Sequence, residues 1–119
     1  MVQFYYKQIN VDLYNLLLTN LVTSSMNIQH DEQQEEGMFF IEEEAKIVAK
    51  MTYKVRSGNM VIEHTLVDES LRGKDVGARL VGEGVNFARQ KNMKIVPVCT
   101  YAKKLLERSK EYNDVLADQ

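Results

Sequence analysis

Residues 60–91 constrain the fold more than any other part of the chain. An apolar run from Met60 to Val67 leads into a polar turn holding Arg72-Gly73-Lys74-Asp75-Val76-Gly77. Helical spacing follows, with Val76, Leu80, Gly84 and Phe87 along one stripe beside Val81, Val85 and Ala88. Asn92 marks the stop, and a second apolar run over 93–98 closes the unit. Strand, helix, strand in that order predicts two parallel strands of one sheet joined by a right-handed crossover. The turn that opens the helix offers unpaired backbone N–H groups and the positive end of the helix dipole. Both suit a phosphate or diphosphate.

Upstream, the pattern is that of an antiparallel meander. Residues 38–41 read as a short strand, turning at Glu42, Glu43 and Glu44. Residues 45–56 alternate, with Ala45, Ile47, Ala49, Met51, Tyr53 and Val55 on the apolar face. Ser57-Gly58-Asn59 is the hairpin turn, Gly58 and Asn59 suiting positive φ. The strand over 60–67 is apolar on both faces around Glu63, which predicts a central position. Pro97, the only proline, implies that its N–H is not needed for pairing. Residues 100–109 read as a final helix with Thr100 as N-cap, and 111–116 as a closing turn. Gly82 and Gly84 weaken the middle helix by roughly 1 kcal/mol each relative to Ala, a cost that close packing on the sheet would explain.

Two parts precede this. Residues 1–27 form an extension in which a helix over 11–22 is expected, with Asp12, Asn15 and Thr19 as its polar stripe. The domain proper spans 28–119, and residues 27–37 at its start are polar and read as a linker. His30 stands in that linker and is expected to be solvated.

Composition excludes several classes of protein. At 119 residues, 45% hydrophobic and net charge −2, the chain is an ordinary single globular domain. One cysteine allows no internal disulfide and points to a reducing, cytoplasmic setting. No apolar run approaches the ~20 residues of a membrane span. Residues 28–71 carry four cations against ten acids, whereas 72–110 carry ten cations against three acids. That asymmetry reads either as solvated helix faces or as an anionic ligand on the C-terminal half, with a cationic one approaching the N-terminal half. Nucleic acid is not expected, because no aromatics interleave with the basic residues. Two distant histidines and one cysteine do not make a metal site. A monomer or weak homodimer is expected.

The strand, Arg-Gly-Lys-x-Val-Gly-Ala turn, helix and strand resemble the acetyl-CoA-binding core of the GNAT acetyltransferase superfamily. His64-Thr65-x-Val67, Leu71-Arg72-Gly73-Lys74-x-Val76-Gly77, Pro97-x-Cys99 and Glu111-Tyr112-x-Asp114, in this order, are similar to its minimal stand-alone branch. The resemblance implies an α+β fold of GNAT type: a mainly antiparallel sheet with one parallel βαβ junction and helices on its faces. It implies acetyl-CoA as acyl donor and an amine, either a small amine or a lysine side chain, as acceptor. The loop Arg72, Gly73, Lys74, Asp75, Val76, Gly77 and Ala78 would hold the diphosphate of coenzyme A. Leu66 and Val67 would lie along the pantetheine arm, and Tyr101 and Lys104 would complete the cofactor contacts.

The resemblance further implies that the two parallel strands splay apart, placing His64 and Cys99 near the reacting carbon. Cys99 reads either as an inert buried thiol or as a nucleophile whose pKa is lowered at the start of the following helix. His64 reads either as a packed histidine or as a base for Cys99 or for the substrate ammonium. Asp75 departs from the superfamily, which favours Gly there; its carboxylate stabilises the helix but competes with a phosphate for the same dipole. Two other functions are compatible with these features: a coenzyme A-binding module without turnover, or an interaction protein working through the N-terminal helix.

Overall fold

The computed structural model describes residues 27–118. The helix expected over 11–22 lies outside the described residues. Five strands, β1 (Gln29–Glu32), β2 (Glu36–Glu43), β3 (Lys46–Arg56), β4 (Asn59–Val67) and β5 (Lys94–Pro97), form one sheet in the order β1-β2-β3-β4-β5. The first four pair antiparallel and β4 pairs parallel with β5, so the fold is α+β with the expected central β4. Helix α1 (Val76–Lys91) makes the crossover, and α2 (Thr100–Glu107) follows β5.

The inner sheet face is built from alternate residues: Phe39 and Ile41 of β2, Ala49, Met51 and Tyr53 of β3, Met60 and Ile62 of β4. Against them α1 buries Leu80, Val81, Val85 and Ala88, at a helical spacing that puts all four on one side. Gly84 sits where a Cβ would come within 2.8 Å of Met51 Cε, so its lack of side chain sets how close α1 approaches the sheet. Gly82 faces open space, and nothing in the structure explains it. The end of α1 is tied down by Arg89, which donates from Nε and Nη2 to the Asp114 carboxylate at 3.0 and 2.9 Å. Asn92 stops the helix where expected, and it does so in a left-handed conformation.

Several local expectations need correction. The polar segment after residue 27 is not a linker but the edge strand β1. All four of its residues are exposed, so it carries no apolar alternation to read; its acidic character suits an unpaired edge. His30 is its inward-facing residue. The ring stacks on Phe39 at 4.0 Å and meets Phe87 edge-on at 4.7 Å, while its outer edge remains in solvent.

Two bulges change the phase of the strands. One, between Ala49 and Ile47, turns Val48 inward and leaves Ile47 43% exposed, although alternation alone puts Ile47 on the buried face. The other leaves Glu63 as the extra residue between the pairs Tyr53↔Ile62 and Thr52↔His64. The β3–β4 turn uses Ser57 and Gly58 at positive φ rather than Gly58 and Asn59, because Asn59 already pairs with Arg56. Cys99, not Thr100, is the N-cap of α2: its carbonyl accepts from the Lys103 N–H at 2.9 Å.

Candidate functional site

Strands β4 and β5 stay paired only from Asn59↔Lys94 to Ile62↔Pro97. Pro97 has no N–H to continue the ladder. The amides of Val98 and Cys99 both turn back to the Ile62 carbonyl, each at 3.0 Å. The chain then enters α2, while β4 runs on to Val67 with one edge free of strand partners among the described residues. Divergence of the two parallel strands opens a cleft of about 410 Å3 lined by Thr65, Val67, Leu71, Arg72, Gly73, Asp75, Val76, Gly77 and Tyr101.

One end of this cleft is the start of α1. The first bond of the helix runs from the Arg79 N–H to the Asp75 carbonyl at 3.0 Å, so the amides of Val76, Gly77 and Ala78 have no carbonyl within the helix. Asp75 is the N-cap, yet its side chain makes no capping hydrogen bond. Its φ of 57° is left-handed, a conformation costing an ordinary residue roughly 1–2 kcal/mol and tolerated best by Gly, Asn and Asp. Gly73 takes φ 83° to bring the turn round. Gly77 makes room for Tyr101, whose phenol oxygen would lie 2.9 Å from a Cβ added there.

Behind Thr65, one of the lining residues, lies a thiol that does not itself line the cleft. Cys99 is half-buried, and its Sγ lies 3.5 Å from Thr65 Oγ1. Burial pushes the thiol pKa up. The Thr65 hydroxyl and the backbone amides of Ala102, Tyr101 and Thr65 outweigh it, leaving the pKa below the ordinary value. The sulfur makes no capping hydrogen bond to the start of α2.

The bulge at Glu63 decides which residues of β4 face this space. Before it, Met60 and Ile62 point inward; after it, Thr65 and Val67 do, while His64 and Leu66 point to the outer face and are exposed. Among the expected site residues, Val67, Arg72, Gly73, Asp75, Val76, Gly77 and Tyr101 therefore line one cleft. Lys74 and Ala78 belong to the same turn and helix start. The Leu66 side chain instead borders a shallow depression with Ile47, Lys50 and Arg72, although its backbone stays on the free edge. His64 lies across from Thr52 on the outer face, and the neighbour of the thiol is Thr65. Lys104 is exposed on α2. The amino-acid pattern alone gives Thr65 no chemical role, because period-two alternation without the bulge would turn it outward.

Among the described residues, no group of three or more metal-ligating side chains comes together, and no helix is long and apolar enough to cross a membrane.

Residues 38–115 match the family described as GCN5-related N-acetyl-transferase. The NMR structure of a GCN5-like protein from Staphylococcus aureus is 32% identical, with a TM-score of 0.63 over 82% of this chain and 93% of that one. A Bacillus anthracis protein assigned as a streptothricin acetyltransferase was solved in complex with acetyl coenzyme A. It is 22% identical, with a TM-score of 0.52 over 65% of this chain and 47% of its own. AAC(6′)-Iy, in complex with the bisubstrate analogue CoA-S-monomethyl-acetylneamine, is 12% identical, with a TM-score of 0.51 over 72% and 65%. The last two share the fold alone. No curated protein matches the chain.

Proposed function

The chain belongs to the GCN5-related N-acetyltransferase family, and from that premise we propose that it moves an acetyl group from acetyl-CoA to an amine, with Cys99 as intermediate acceptor. One juxtaposition carries this reading. Thr65 both lines the cleft that ends at the uncapped start of α1 and touches the only thiol in the chain.

The residues fit coenzyme A. The amides of Val76, Gly77 and Ala78, with the exposed cations Arg72 and Lys74, suit its diphosphate. The free edge of β4 from Thr65 to Val67 suits the amides of a pantetheine arm, as an extended peptide suits a sheet edge. Tyr101 stands at the rim, and Lys104 adds a further cation on the same helix. Bound there, acetyl-CoA supplies an activated acetyl group.

Cys99 attacks the acetyl carbonyl carbon as the thiolate. A new C–S bond forms, the bond to the carrier sulfur breaks, and the carrier leaves as its own thiolate. The acceptor amine then displaces the Cys99 sulfur and gives up a proton. His64, on the outer face of β4, is the base proposed for an amine that approaches the acetylated Cys99 from that face through the gap between the parted strands, since Thr65 occupies the thiol side.

A specific observation favours a second reading, in which the chain binds coenzyme A without turnover. Asp75 places a carboxylate and a left-handed backbone where the diphosphate would sit.

One experiment separates the readings. Incubation with acetyl-CoA is expected to leave one acetyl group on the full chain, seen by intact mass and absent in Cys99→Ala. Unimpaired amine acetylation by Cys99→Ala would show direct attack by the amine. Calorimetric binding of coenzyme A with no transfer to a panel of amines and lysine peptides would favour the binding module.

A further inference from the structure

We propose that Thr65 is a positioning residue for the Cys99 sulfur, holding it as a thiolate through its side-chain hydroxyl. The proposal deepens the acetyltransferase reading and rests on Cys99 as the acetyl acceptor.

Three features converge on Thr65. The extra residue Glu63 shifts β4 by one position, which turns the Thr65 side chain to the same side as the cleft and α2. The divergence of β5 after Pro97 frees the facing edge of β4 from strand pairing at this point. As a thiol, Cys99 donates from Sγ to Thr65 Oγ1 at 3.5 Å; once the thiol ionises, the same hydroxyl stands within reach to donate to the sulfur. Threonine is β-branched and stiff at χ1, so the hydroxyl is held rather than swinging between partners. An isolated thiolate, half-buried as Cys99 is, would be disfavoured by burial alone; the donors from β4 and from the start of α2 reverse that balance.

The chain has a single cysteine, so its chemistry can be read without ambiguity. The test is the rate of iodoacetamide alkylation against pH, on the full chain and without acetyl-CoA. The wild type is expected to titrate with a midpoint below the ordinary thiol value. In Thr65→Val, nearly the same shape without the hydroxyl, the midpoint should rise by about one pH unit, lowering the thiolate fraction at neutral pH about tenfold. Thr65→Ser should stay with the wild type. If Thr65→Val does not fold, Thr65→Ala gives the same comparison.

Coincident profiles for wild type and Thr65→Val would overturn the proposal, as would a Thr65→Ser profile that matches that of Thr65→Val. Acetyl loading of Cys99, measured in parallel, separates the two levels. A shifted alkylation profile with no loading of the wild type would sink the acetyl-acceptor reading while leaving Thr65 as the group that holds the thiolate.

Discussion

The two ends of the sheet treat polar groups in opposite ways. Between β1 and β3, His30 and Tyr53 hydrogen bond at 2.7 Å inside a cluster of rings that includes Phe39 and Phe87. Burial, then the charges of Glu32 and Asp31, push the Tyr53 phenol up to about 12, so it keeps its proton. Burial likewise lowers the pKa of His30, and the neutral imidazole is the form that can accept that proton. Gly37 opposite Tyr53 leaves the space that the phenol fills. Between β4 and β5, a parting of strands leaves helix-start amides and a strand edge without strand partners among the described residues beside a cleft, with the Cys99 thiol against its lining residue Thr65. In the first region the His30 ring and the Tyr53 phenol satisfy one another, which adds stability. The second leaves its hydrogen-bonding groups available for a ligand, as sites built from open helix starts and strand edges require.

The sharpest way to break this comparison is Phe39→Ala. Phe39 is 3% exposed, and its loss should destabilise the fold by about 3–5 kcal/mol in urea unfolding, while leaving the Cys99 alkylation midpoint unchanged. A shifted midpoint would show that the two regions are coupled.

A smaller effect is expected at Asp75. Asp75→Asn removes the charge from the start of α1 and keeps a residue that tolerates the left-handed backbone. Coenzyme A affinity by calorimetry should rise about two- to fivefold, from a helix-terminus interaction worth roughly 0.3–1 kcal/mol. Asp75→Gly should add a gain in melting temperature by relieving the backbone. Unchanged affinity in both variants would mean that the carboxylate does not face the ligand.

The smallest effect belongs to His30. Its folded pKa is depressed, so the unfolded chain binds more protons below the unfolded value near 6.5. The stability it contributes is present above that value and lost as pH falls through the folded one. Melting temperatures of wild type and His30→Gln should therefore converge on acidification. Parallel curves would contradict the pairing with Tyr53.

The central unit is legible in the sequence because its signals are local. Gly73 at positive φ, Asn92 at the end of α1 and Pro97 where the ladder stops act through their own backbone, and the apolar stripe of α1 through its spacing along one helix. Features set by neighbouring strands are not legible. β1 has no apolar period because the ring it turns toward Phe39 and Phe87 is that of a histidine. The bulges at Val48 and Glu63 each add one residue and reverse the facing of neighbouring positions, which exposes Ile47 and Leu66 and brings Thr65 to the thiol. The cleft is legible as a loop with a nearby cysteine. Its division of labour between Thr65 and His64 depends on a phase that only pairing fixes.

Titration of the full chain with coenzyme A, monitored by amide NMR, addresses the cleft directly. Saturating shifts at Gly73 to Ala78 and along Thr65 to Val67, with little change at His30, Phe39 and Tyr53, are the expected result. Unmoved amides at the start of α1, or shifts centred on the aromatic cluster, would contradict the assignment of the cleft as the cofactor site.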